Sequence, residues 1–254
     1  GQGLLGNPRV YPGGCSPSAM VVEDWNGDGW PDLATSDRNS ATVSIFWNDA
    51  QGRFPAPRTN DFGSRPSALT SVDYDGDGRR DLAGLSWGFS PMKDSSPIAG
   101  LFHNSGDGIF RTDRTFDVGG VPNAIAAGDF DGNGLDDLAV GYDFEKQLSV
   151  FLGLNVRASL PGVRYDTGTY PIAVASGDLD GDGRLDLVTA NSRSSDLSVL
   201  LGSGLGTFKP ATSYEAPDAP AALVLGDFDG DGRLDVAVAG FGADAVGVLL
   251  GRCR

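Results

Sequence analysis

Five short segments rich in aspartate recur along the chain, and their side chains could hold a hard divalent cation. Each carries Asp or Asn at positions 1, 3 and 5, Asp at position 9 and Gly at positions 4 and 6. The copy at residues 178–186 reads Asp-Leu-Asp-Gly-Asp-Gly-Arg-Leu-Asp. Ca²⁺ takes about six to eight oxygen ligands in a flexible shell, whereas Mg²⁺ prefers a rigid octahedron and zinc prefers His and Cys. The pattern therefore predicts up to five Ca²⁺ ions, one per loop.

The predicted ligands are the side chains at positions 1, 3, 5 and 9 and the backbone carbonyl at position 7. They are Asp24, Asn26, Asp28, Trp30, Asp32, Asp73, Asp75, Asp77, Arg79, Asp81, Asp129, Asp131, Asn133, Leu135, Asp137, Asp178, Asp180, Asp182, Arg184, Asp186, Asp227, Asp229, Asp231, Arg233 and Asp235. An EF-hand would instead need a bidentate Glu at position 12 and flanking helices. Loops 1 and 3 each carry one Asn in place of Asp, so we expect them to bind Ca²⁺ more weakly.

The loops recur at a nearly constant interval that indicates a repeat architecture. Their first aspartates fall at 24, 73, 129, 178 and 227, which gives spacings of 49, 56, 49 and 49 residues. Periods of this size are typical of solenoids, propellers and arrays. Short apolar segments bounded by Gly and Asp flank each loop, and no helical period of useful length is present. Four such segments per unit predict the four-stranded blade of a β-propeller.

The loops, together with Gly-x-Gly-x-Phe turns at residues 106–110 and 204–208, resemble the FG-GAP/VCBS repeat family. This family supplies the calcium-binding blades of the integrin α-subunit head. The resemblance implies that Ca²⁺ lies between the first and second strands of each blade. It leaves the function open, because the family includes lectins, adhesion heads and lyase-type enzymes. Seven blades are frequent in the family, so five would be a departure.

We predict an all-β fold: a five-bladed β-propeller of four-stranded antiparallel blades, forming a single domain over residues 1–254. Residues 3–14 match a fourth strand such as residues 208–214, so we expect the N-terminal strand to complete the last blade and close the ring. The alternative is a fragment of a larger ring. In the closed scheme Cys15 and Cys253 lie on opposite faces, too far apart for a disulfide.

The chain is acidic because of its loops. The formal net charge is −15, and the ligand positions hold 18 of the 34 acidic residues. Acidity of this origin indicates metal binding, and the lack of a basic stripe argues against nucleic acid. No apolar run is long enough for membrane insertion. Extracellular calcium modules have dissociation constants of about 10⁻⁴–10⁻³ M, so we expect a secreted or cell-surface protein, acting as a monomer.

The connections between second and third strands should lie on the face opposite the calcium loops. They vary between blades, and in blade 2 the connection is longest, at residues 87–97. Because binding residues concentrate on loops held by a rigid scaffold, we predict the ligand site here. The candidate ligand-binding residues are Arg38, Asn39, Trp87, Phe89, Lys93, Tyr142, Phe144, Asn191 and Arg193. Alternatively, Trp87 and Phe89 cap the blade, and Arg38 and Arg193 form surface ion pairs.

Other conspicuous residues are expected to be structural. The only histidine, His103, lies on a third strand where Trp47 lies in blade 1, so we expect it to pack between blades. The aromatic residues at position 2 of the loops are expected to anchor the core. They are Trp25, Tyr74, Phe130 and Phe228. Trp30 is expected to be exposed.

The favoured interpretation is a calcium-stabilised extracellular recognition module that binds carbohydrate as lectins do. One alternative is protein adhesion, or a propeller without its own ligand. A contiguous exposed apolar patch would favour adhesion, and a polar pocket between blades would favour a lectin. Another alternative is a polysaccharide lyase or dehydratase, for which Tyr142, Glu145, Lys146 and Arg193 form the one suggestive set. No Ser-His-Asp or zinc constellation is evident, so we favour a non-enzymatic role.

Overall fold

The strands of the chain form five antiparallel sheets. The computed structural model describes residues 7–88, 96–106, 109–155 and 161–252. Its regular elements are strands throughout these ranges, and none of the described residues is helical, which confirms the all-β prediction. Consistent with this, the described part of the chain offers no apolar helix of membrane-spanning length. The five sheets are consistent with a propeller-like fold.

Each sheet begins with two strands joined by one of the acidic loops. The first strands are β1 (Pro17–Glu23), β5 (Pro66–Val72), β9 (Pro122–Gly128), β13 (Pro171–Gly177) and β17 (Pro220–Gly226). The second strands are β2 (Asp32–Asp37), β6 (Asp81–Ser86), β10 (Asp137–Tyr142), β14 (Asp186–Asn191) and β18 (Asp235–Gly240). Proline starts every first strand, a position that tolerates the missing N–H donor, and the position-9 aspartate starts every second strand.

Third strands in all five sheets and fourth strands in four of them follow along the chain. The third strands are β3 (Thr42–Phe46), β7 (Ile98–Asn104), β11 (Gln147–Phe151), β15 (Asp196–Leu200) and β19 (Ala245–Leu249). The fourth strands are β4 (Arg58–Asp61), β8 (Phe110–Asp117), β12 (Val163–Asp166) and β16 (Thr212–Glu215). Blades 1 to 4 are therefore β1–β4, β5–β8, β9–β12 and β13–β16, each with its strands in sequence order, and blade 5 is β17–β19.

The apolar core lies between blades. Four buried clusters each combine side chains from two consecutive blades, from blades 1 and 2 through to blades 4 and 5. The ring at loop position 2 packs onto the following blade: Trp25 meets Phe110 and Phe130 meets Phe208, with ring centroids 5.8 and 5.6 Å apart. The prediction that Phe228 is a core anchor is wrong. Its side chain is 51% exposed, because no further blade of the described residues covers it.

The predicted closure of the ring is not shown. Residues 7–16 contain no strand and blade 5 has three strands in the described residues, while residues 1–6 lie outside them. The N-terminal segment instead contacts blade 1, where the rings of Tyr11 and Phe54 meet edge to face at 5.5 Å. Its Pro8 and Pro12 remove two ladder donors, which disfavours strand pairing. Apolar side chains on β1 and blade 5 remain exposed, among them Met20, Val22, Val224, Val246 and Val248.

Candidate functional site

Loop 4 illustrates how each acidic segment folds. The carboxylate of Asp178 at position 1 accepts backbone N–H bonds from Gly181, Asp182 and Gly183 at 2.7, 3.1 and 2.8 Å. Gly181 and Gly183 have φ values of 77° and 84°, which glycine adopts without steric penalty. The bond from the position-4 glycine recurs in all five loops at 2.7–2.9 Å. The chain thus wraps around the first carboxylate.

The position-9 aspartate ties this loop to the rest of the blade. Asp186 is 1% exposed, and its carboxylate accepts N–H bonds from Leu179 at 2.9 Å and from Gly202 at 2.7 Å. One bond comes from loop position 2 and the other from the end of the third strand. Loops 1, 3 and 5 repeat both bonds. This carboxylate is therefore a structural link as well as a predicted cation ligand.

Carboxylates from loops 2 to 5 converge as a cation site requires. In each of these loops three acidic side chains have ligand oxygens within 4.8 Å of one another. The groups are Asp73, Asp75 and Asp81; Asp129, Asp131 and Asp137; Asp178, Asp180 and Asp186; and Asp227, Asp229 and Asp231. In loop 1 Asn26 replaces one acid, and its amide donates to Asp28 at 3.0 Å.

The electrostatics of these groups also favours a cation. Burial raises the pKa of the Asp81 and Asp137 carboxyls to about 7, and neighbouring carboxylates add to the rise. A buried carboxylate among other carboxylates is costly unless a positive charge offsets it. The all-oxygen donor set of loops 3 to 5 fits a hard divalent cation such as Ca²⁺. When bound, this ion would neutralise the carboxylates and cross-link the loop through the Asp side chains at positions 1, 3 and 9 and the Asp or Asn side chain at position 5.

Position 7 adds a feature that the sequence interpretation did not include. The arginines here turn their side chains toward the position-5 carboxylate of their own loop: Arg79 pairs with Asp77, and Arg184 lies 3.8 Å from Asp182. Arg233 lies 3.7 Å from Asp231 in the same way. The backbone N–H of each position-7 residue, Leu135 and Trp30 included, donates to the position-5 side chain. The role of the position-7 carbonyl as a ligand remains a prediction.

The ring of His103 lies against the acidic loop of its own blade. Its Nδ1 lies 3.0 Å from an oxygen of Asp75 and 3.6 Å from an oxygen of Asp81, so the ring faces loop 2. The reason lies in the strand register: Asn104, the next residue, donates its N–H to Asp81 at 2.7 Å. Because His103 directly precedes Asn104 on the strand, its side chain lies next to loop 2.

On the face opposite the acidic loops, Phe144, Tyr170 and Arg193 form an aromatic–cation cluster. Phe144 and Arg193 are predicted ligand residues, and Tyr170 is their neighbour. The two rings meet edge to face at 5.7 Å, and the guanidinium lies 5.1 Å from the Phe144 ring and 4.9 Å from the Tyr170 ring. Backbone bonds hold the connections together: Tyr170 donates to Glu145 and Arg193 donates to Thr169, both at 3.1 Å. The sequence interpretation missed Tyr170, which precedes a first strand.

The backbone at Phe144 is unusual. In blades 1, 4 and 5 the residue just before the third strand has positive φ, namely Ala41, Ser195 and Asp244. In blade 3 this conformation moves to Phe144, with φ of 62°. A bulky residue in the left-handed region is strained by about 1–2 kcal/mol, and its side chain is 66% exposed. Strain at an exposed aromatic residue is typical of positions that serve binding.

Two predicted ligand residues cannot reach a ligand because they are buried. Tyr142 is 0% exposed, and its hydroxyl donates to the Val118 carbonyl at 2.7 Å. Asn191 is also 0% exposed and donates to Asp196 at 3.1 Å and to Ser198 at 2.9 Å. Both side chains stabilise their turns instead. The catalytic set suggested for a lyase, with Tyr142, Glu145, Lys146 and Arg193, therefore lacks an accessible tyrosine.

The predicted ion pair of Arg38 is replaced by a ring contact. Its guanidinium lies 4.1 Å from the centre of the Trp87 ring, across the junction of blades 1 and 2. Neither Arg38 nor Arg193 forms an ion pair with an acidic side chain of the described residues. Asn39 donates its amide to Ser16 at 2.7 Å. Three further predictions concern Phe89, Lys93 and Cys253, which lie outside the described residues.

A cleft of about 410 Å³ opens at the junction of blades 2 and 3. Its wall combines the end of β8 with side chains of β11 and β12. The lining residues are Asp117, Val118, Gly119, Ser149, Phe151, Pro161, Gly162 and Arg164. Asp117, Ser149 and Arg164 give this cleft a polar character.

Sequence comparison finds repeats of one family across the chain. The FG-GAP-like repeat model matches residues 24–84 and 178–238, and the FG-GAP repeat model matches residues 121–155. Together these segments cover more than half of the 254 residues. No curated protein sequence matches the chain.

Solved structures share the fold at low sequence identity. BBS1N in complex with ARL6DN is similar with a TM-score of 0.66 and 14% identity in a mercury-soaked crystal, covering 96% of this chain and 68% of that chain. In a lead-soaked crystal of the same complex the TM-score is 0.60 and the identity is 17%, and the match covers 89% of this chain and 64% of that chain. A functionally unknown protein from Desulfotomaculum acetoxidans DSM 771 is similar with a TM-score of 0.60 and 13% identity. This match covers 89% of this chain and 63% of that chain. The chain thus spans about two thirds of the length of these neighbours, which support the propeller-like fold alone.

Proposed function

The chain belongs to the FG-GAP repeat family, and on that premise we propose that it is an extracellular recognition module that binds a protein ligand. FG-GAP repeats suggest a recognition or adhesion propeller, at the cell surface or secreted. In this proposal calcium in the acidic loops stabilises one face of the blades. The ligand is bound on the opposite face, and no catalysis is required.

The observation that carries the proposal is the aromatic–cation cluster. Phe144, Tyr170 and Arg193 come from three separate connections of blades 3 and 4, and backbone hydrogen bonds hold those connections in place. Aromatic residues and arginine are the side chains most enriched in the energetic centres of protein interfaces. A guanidinium stacked on rings keeps its N–H edges available for a carboxylate of the ligand. The Arg38–Trp87 pair repeats this chemistry between blades 1 and 2.

A protein ligand fits these residues better than a sugar. A carbohydrate site needs several exposed hydrogen-bonding groups around its aromatic platform, but Tyr142 and Asn191 are buried and already bonded. Among the other predicted ligand residues that the structure describes, Asn39 is already bonded to Ser16, and the rest are large rings and cations. The precedent of BBS1N, solved in complex with ARL6DN, supports protein recognition on a similar fold. The calcium dependence of this activity rests on the converging carboxylates of the loops.

Carbohydrate binding is the second candidate, and the cleft between blades 2 and 3 supports it. The cleft volume of about 410 Å³ suits one small ligand. Asp117, Ser149 and Arg164 line it with donors and acceptors, and the Phe151 ring supplies an apolar surface. This lectin-like function would use a different site from the aromatic–cation cluster. The two candidates therefore respond to different substitutions.

The test is binding to arrays of extracellular proteins and of glycans, in calcium and again in EDTA. The informative variants are Phe144→Ala and Arg193→Ala, with Arg164→Ala for the cleft. Phe241→Ala is the matched control, because Phe241 is 83% exposed on the corresponding connection of blade 5. Circular dichroism verifies the fold of every variant.

We expect a protein ligand whose binding is lost in Phe144→Ala and Arg193→Ala and kept in Phe241→Ala. Glycan binding that is lost in Arg164→Ala alone would replace this proposal with the lectin-like function. Binding that all four variants retain would contradict both sites.

A further inference from the structure

Loop 2 differs from the other acidic loops in its ligand atoms. The ring nitrogen Nδ1 of His103 lies 3.0 Å from Asp75 and 3.6 Å from Asp81, and it forms a second group of possible ligands with Asp75 and Asp77. The other groups of this kind in the described residues consist of carboxylates. An imidazole nitrogen is a poor ligand for Ca²⁺, which selects oxygen, and a good one for zinc and related transition metals.

The carboxylate of Asp81 has one oxygen, Oδ1, near this ring and a second, Oδ2, without a hydrogen-bond partner. Asp81 is 0% exposed, and one of its oxygens accepts the N–H of Asn104, but Oδ2 has no hydrogen bond. In loops 1, 3, 4 and 5 the corresponding oxygen accepts the N–H of loop position 2 at 2.8–3.3 Å. An unsatisfied buried carboxylate oxygen is costly, and it belongs to the group that converges with Asp73 and Asp75. It is therefore available to a metal ion.

The position of His103 in the repeat makes it specific to blade 2. It directly precedes the residue whose N–H bonds the position-9 aspartate. In the other blades this position is held by Trp47, Leu152, Leu201 and Leu250. None of these four side chains can ligate a metal, so blade 2 alone places a nitrogen ligand at its loop.

We propose that loop 2 is a transition-metal site that binds Zn²⁺ through His103 Nδ1, Asp75 and Asp77, while the other loops take hard cations. A tetrahedral zinc with ligand bonds of about 2.0 Å separates its ligand atoms by about 3.3 Å. The 3.0 and 3.6 Å distances from Nδ1 lie on either side of that separation. Asp77 can bind the ion once it is released from Arg79, and Asp81 can supply a fourth ligand.

A neutral imidazole with its proton on Nε2 presents the Nδ1 lone pair to the ion. The site goes beyond the recognition function proposed above, because it concerns the loop face and needs no ligand on the opposite face. Its consequence is that zinc and calcium act on different blades of the same molecule.

The first experiment is a Zn²⁺ titration of the chelator-treated protein with excess Ca²⁺ present, followed by calorimetry and by ¹⁵N NMR of the imidazole. Because His103 is the only histidine, its two nitrogen signals are unambiguous. We expect one equivalent of tightly bound zinc and a large shift of the Nδ1 signal. Co²⁺ in place of Zn²⁺ should give the intense visible bands of tetrahedral coordination.

The matched variants are His103→Leu and Asp180→Asn. His103→Leu introduces the residue that blades 3 to 5 carry at this position, so the fold should be retained. Zinc affinity should fall by about 100-fold or more. Even the loss of a residue that only hydrogen-bonds to a metal ligand lowers metal affinity by about 10–100-fold. Asp180→Asn alters an acidic ligand of loop 4 and should leave zinc binding unchanged.

Equal zinc affinity of His103→Leu and the unaltered protein would overturn the proposal. An imidazole spectrum that zinc does not change would also overturn it, as would complete displacement of zinc by equimolar Ca²⁺. In those cases His103 is only a hydrogen-bonded neighbour of Asp75. These outcomes are independent of the array experiment, so the failure of one proposal does not decide the other.

Discussion

The two faces of the blades are built on the same strands but differ in how regularly they are constructed. On the loop face, five acidic segments share the hydrogen bond from the position-4 glycine to the position-1 carboxylate, the same glycine conformations and a buried aspartate at position 9. On the opposite face, the connections carry a stacked Arg38–Trp87 pair in one place and the aromatic–cation cluster in another. Phe241 is alone and exposed in blade 5.

From this difference we expect the loop face to determine stability and the opposite face to carry the proposed recognition. Changes on the loop face remove buried hydrogen bonds or a cation, so they should affect the free energy of unfolding. Changes on the opposite face remove exposed side chains, whose loss rarely alters stability by more than about 0.5 kcal/mol. Substitutions on the two faces can therefore test the division, beginning with the largest expected effect.

Chelation of all loop cations should have the largest effect. Four calcium sites with dissociation constants of about 0.1–1 mM, at about 2 mM free Ca²⁺, would together contribute about 3–7 kcal/mol. We expect the melting temperature to fall by about 10 °C or more in EDTA. Differential scanning calorimetry in calcium and in EDTA measures this, with Mg²⁺ replacement as the control. An unchanged melting temperature would mean that the carboxylates do not act as cation ligands.

Within blade 4, Asp186→Ala should destabilise the protein far more than Arg193→Ala. The first change leaves the buried N–H groups of Leu179 and Gly202 without acceptors, at about 1–3 kcal/mol each. The second removes an exposed cation–ring contact of about 0.5–1 kcal/mol. Urea unfolding of both variants in calcium compares the two faces directly. Equal midpoints would contradict the assignment of structure to one face and recognition to the other.

Asp180→Asn should separate cation affinity from folding. Asp180 is exposed, and its backbone-bonding oxygen is retained by the amide of Asn. We expect about tenfold weaker Ca²⁺ binding at one site, because affinity follows ligand charge. The midpoint of unfolding in EDTA should not change. Isothermal titration calorimetry measures the Ca²⁺ affinity, and urea unfolding in EDTA measures the stability. A large loss of stability in EDTA would show that Asp180 is structural.

The smallest effect concerns the strained backbone of blade 3. Phe144→Gly should be about 0.5–1 kcal/mol more stable than Phe144→Ala, because φ of 62° is unfavourable for residues with a Cβ. Both variants lose the exposed ring equally, so their difference reports the backbone alone. Thermal melts in calcium are sufficient. If the alanine variant is the more stable, the strain at this connection is absent in solution.

Much of the loop face could be predicted from the sequence. The spacing of Asp and Gly determines the turns, because a carboxylate at position 1 can accept nearby N–H groups only when Gly allows positive φ. The strands on either side of each loop followed from the apolar segments of the sequence. The burial of Trp25, Tyr74 and Phe130 was also evident from their repeated position.

What the sequence could not supply was which residues meet across blades. The exposure of Phe228, the contact of the N-terminal segment with blade 1 and the pairing of Arg38 with Trp87 all depend on neighbouring sheets. The same is true of Tyr142 and Asn191, whose polar types suggested binding although tertiary contacts bury them. His103 reaches loop 2 because of strand register, which a list of residue types does not contain.

The sequence by itself determined the repeat, the acidic loops and the strand type, because these depend on local spacing and on conformations available to single residues. Only the tertiary structure decided which polar side chains remain accessible and which potential ligand atoms converge at each loop. The physical reason is that burial and ligand geometry are set by contacts between segments far apart in the chain, such as Asp75 and Asp81 with His103.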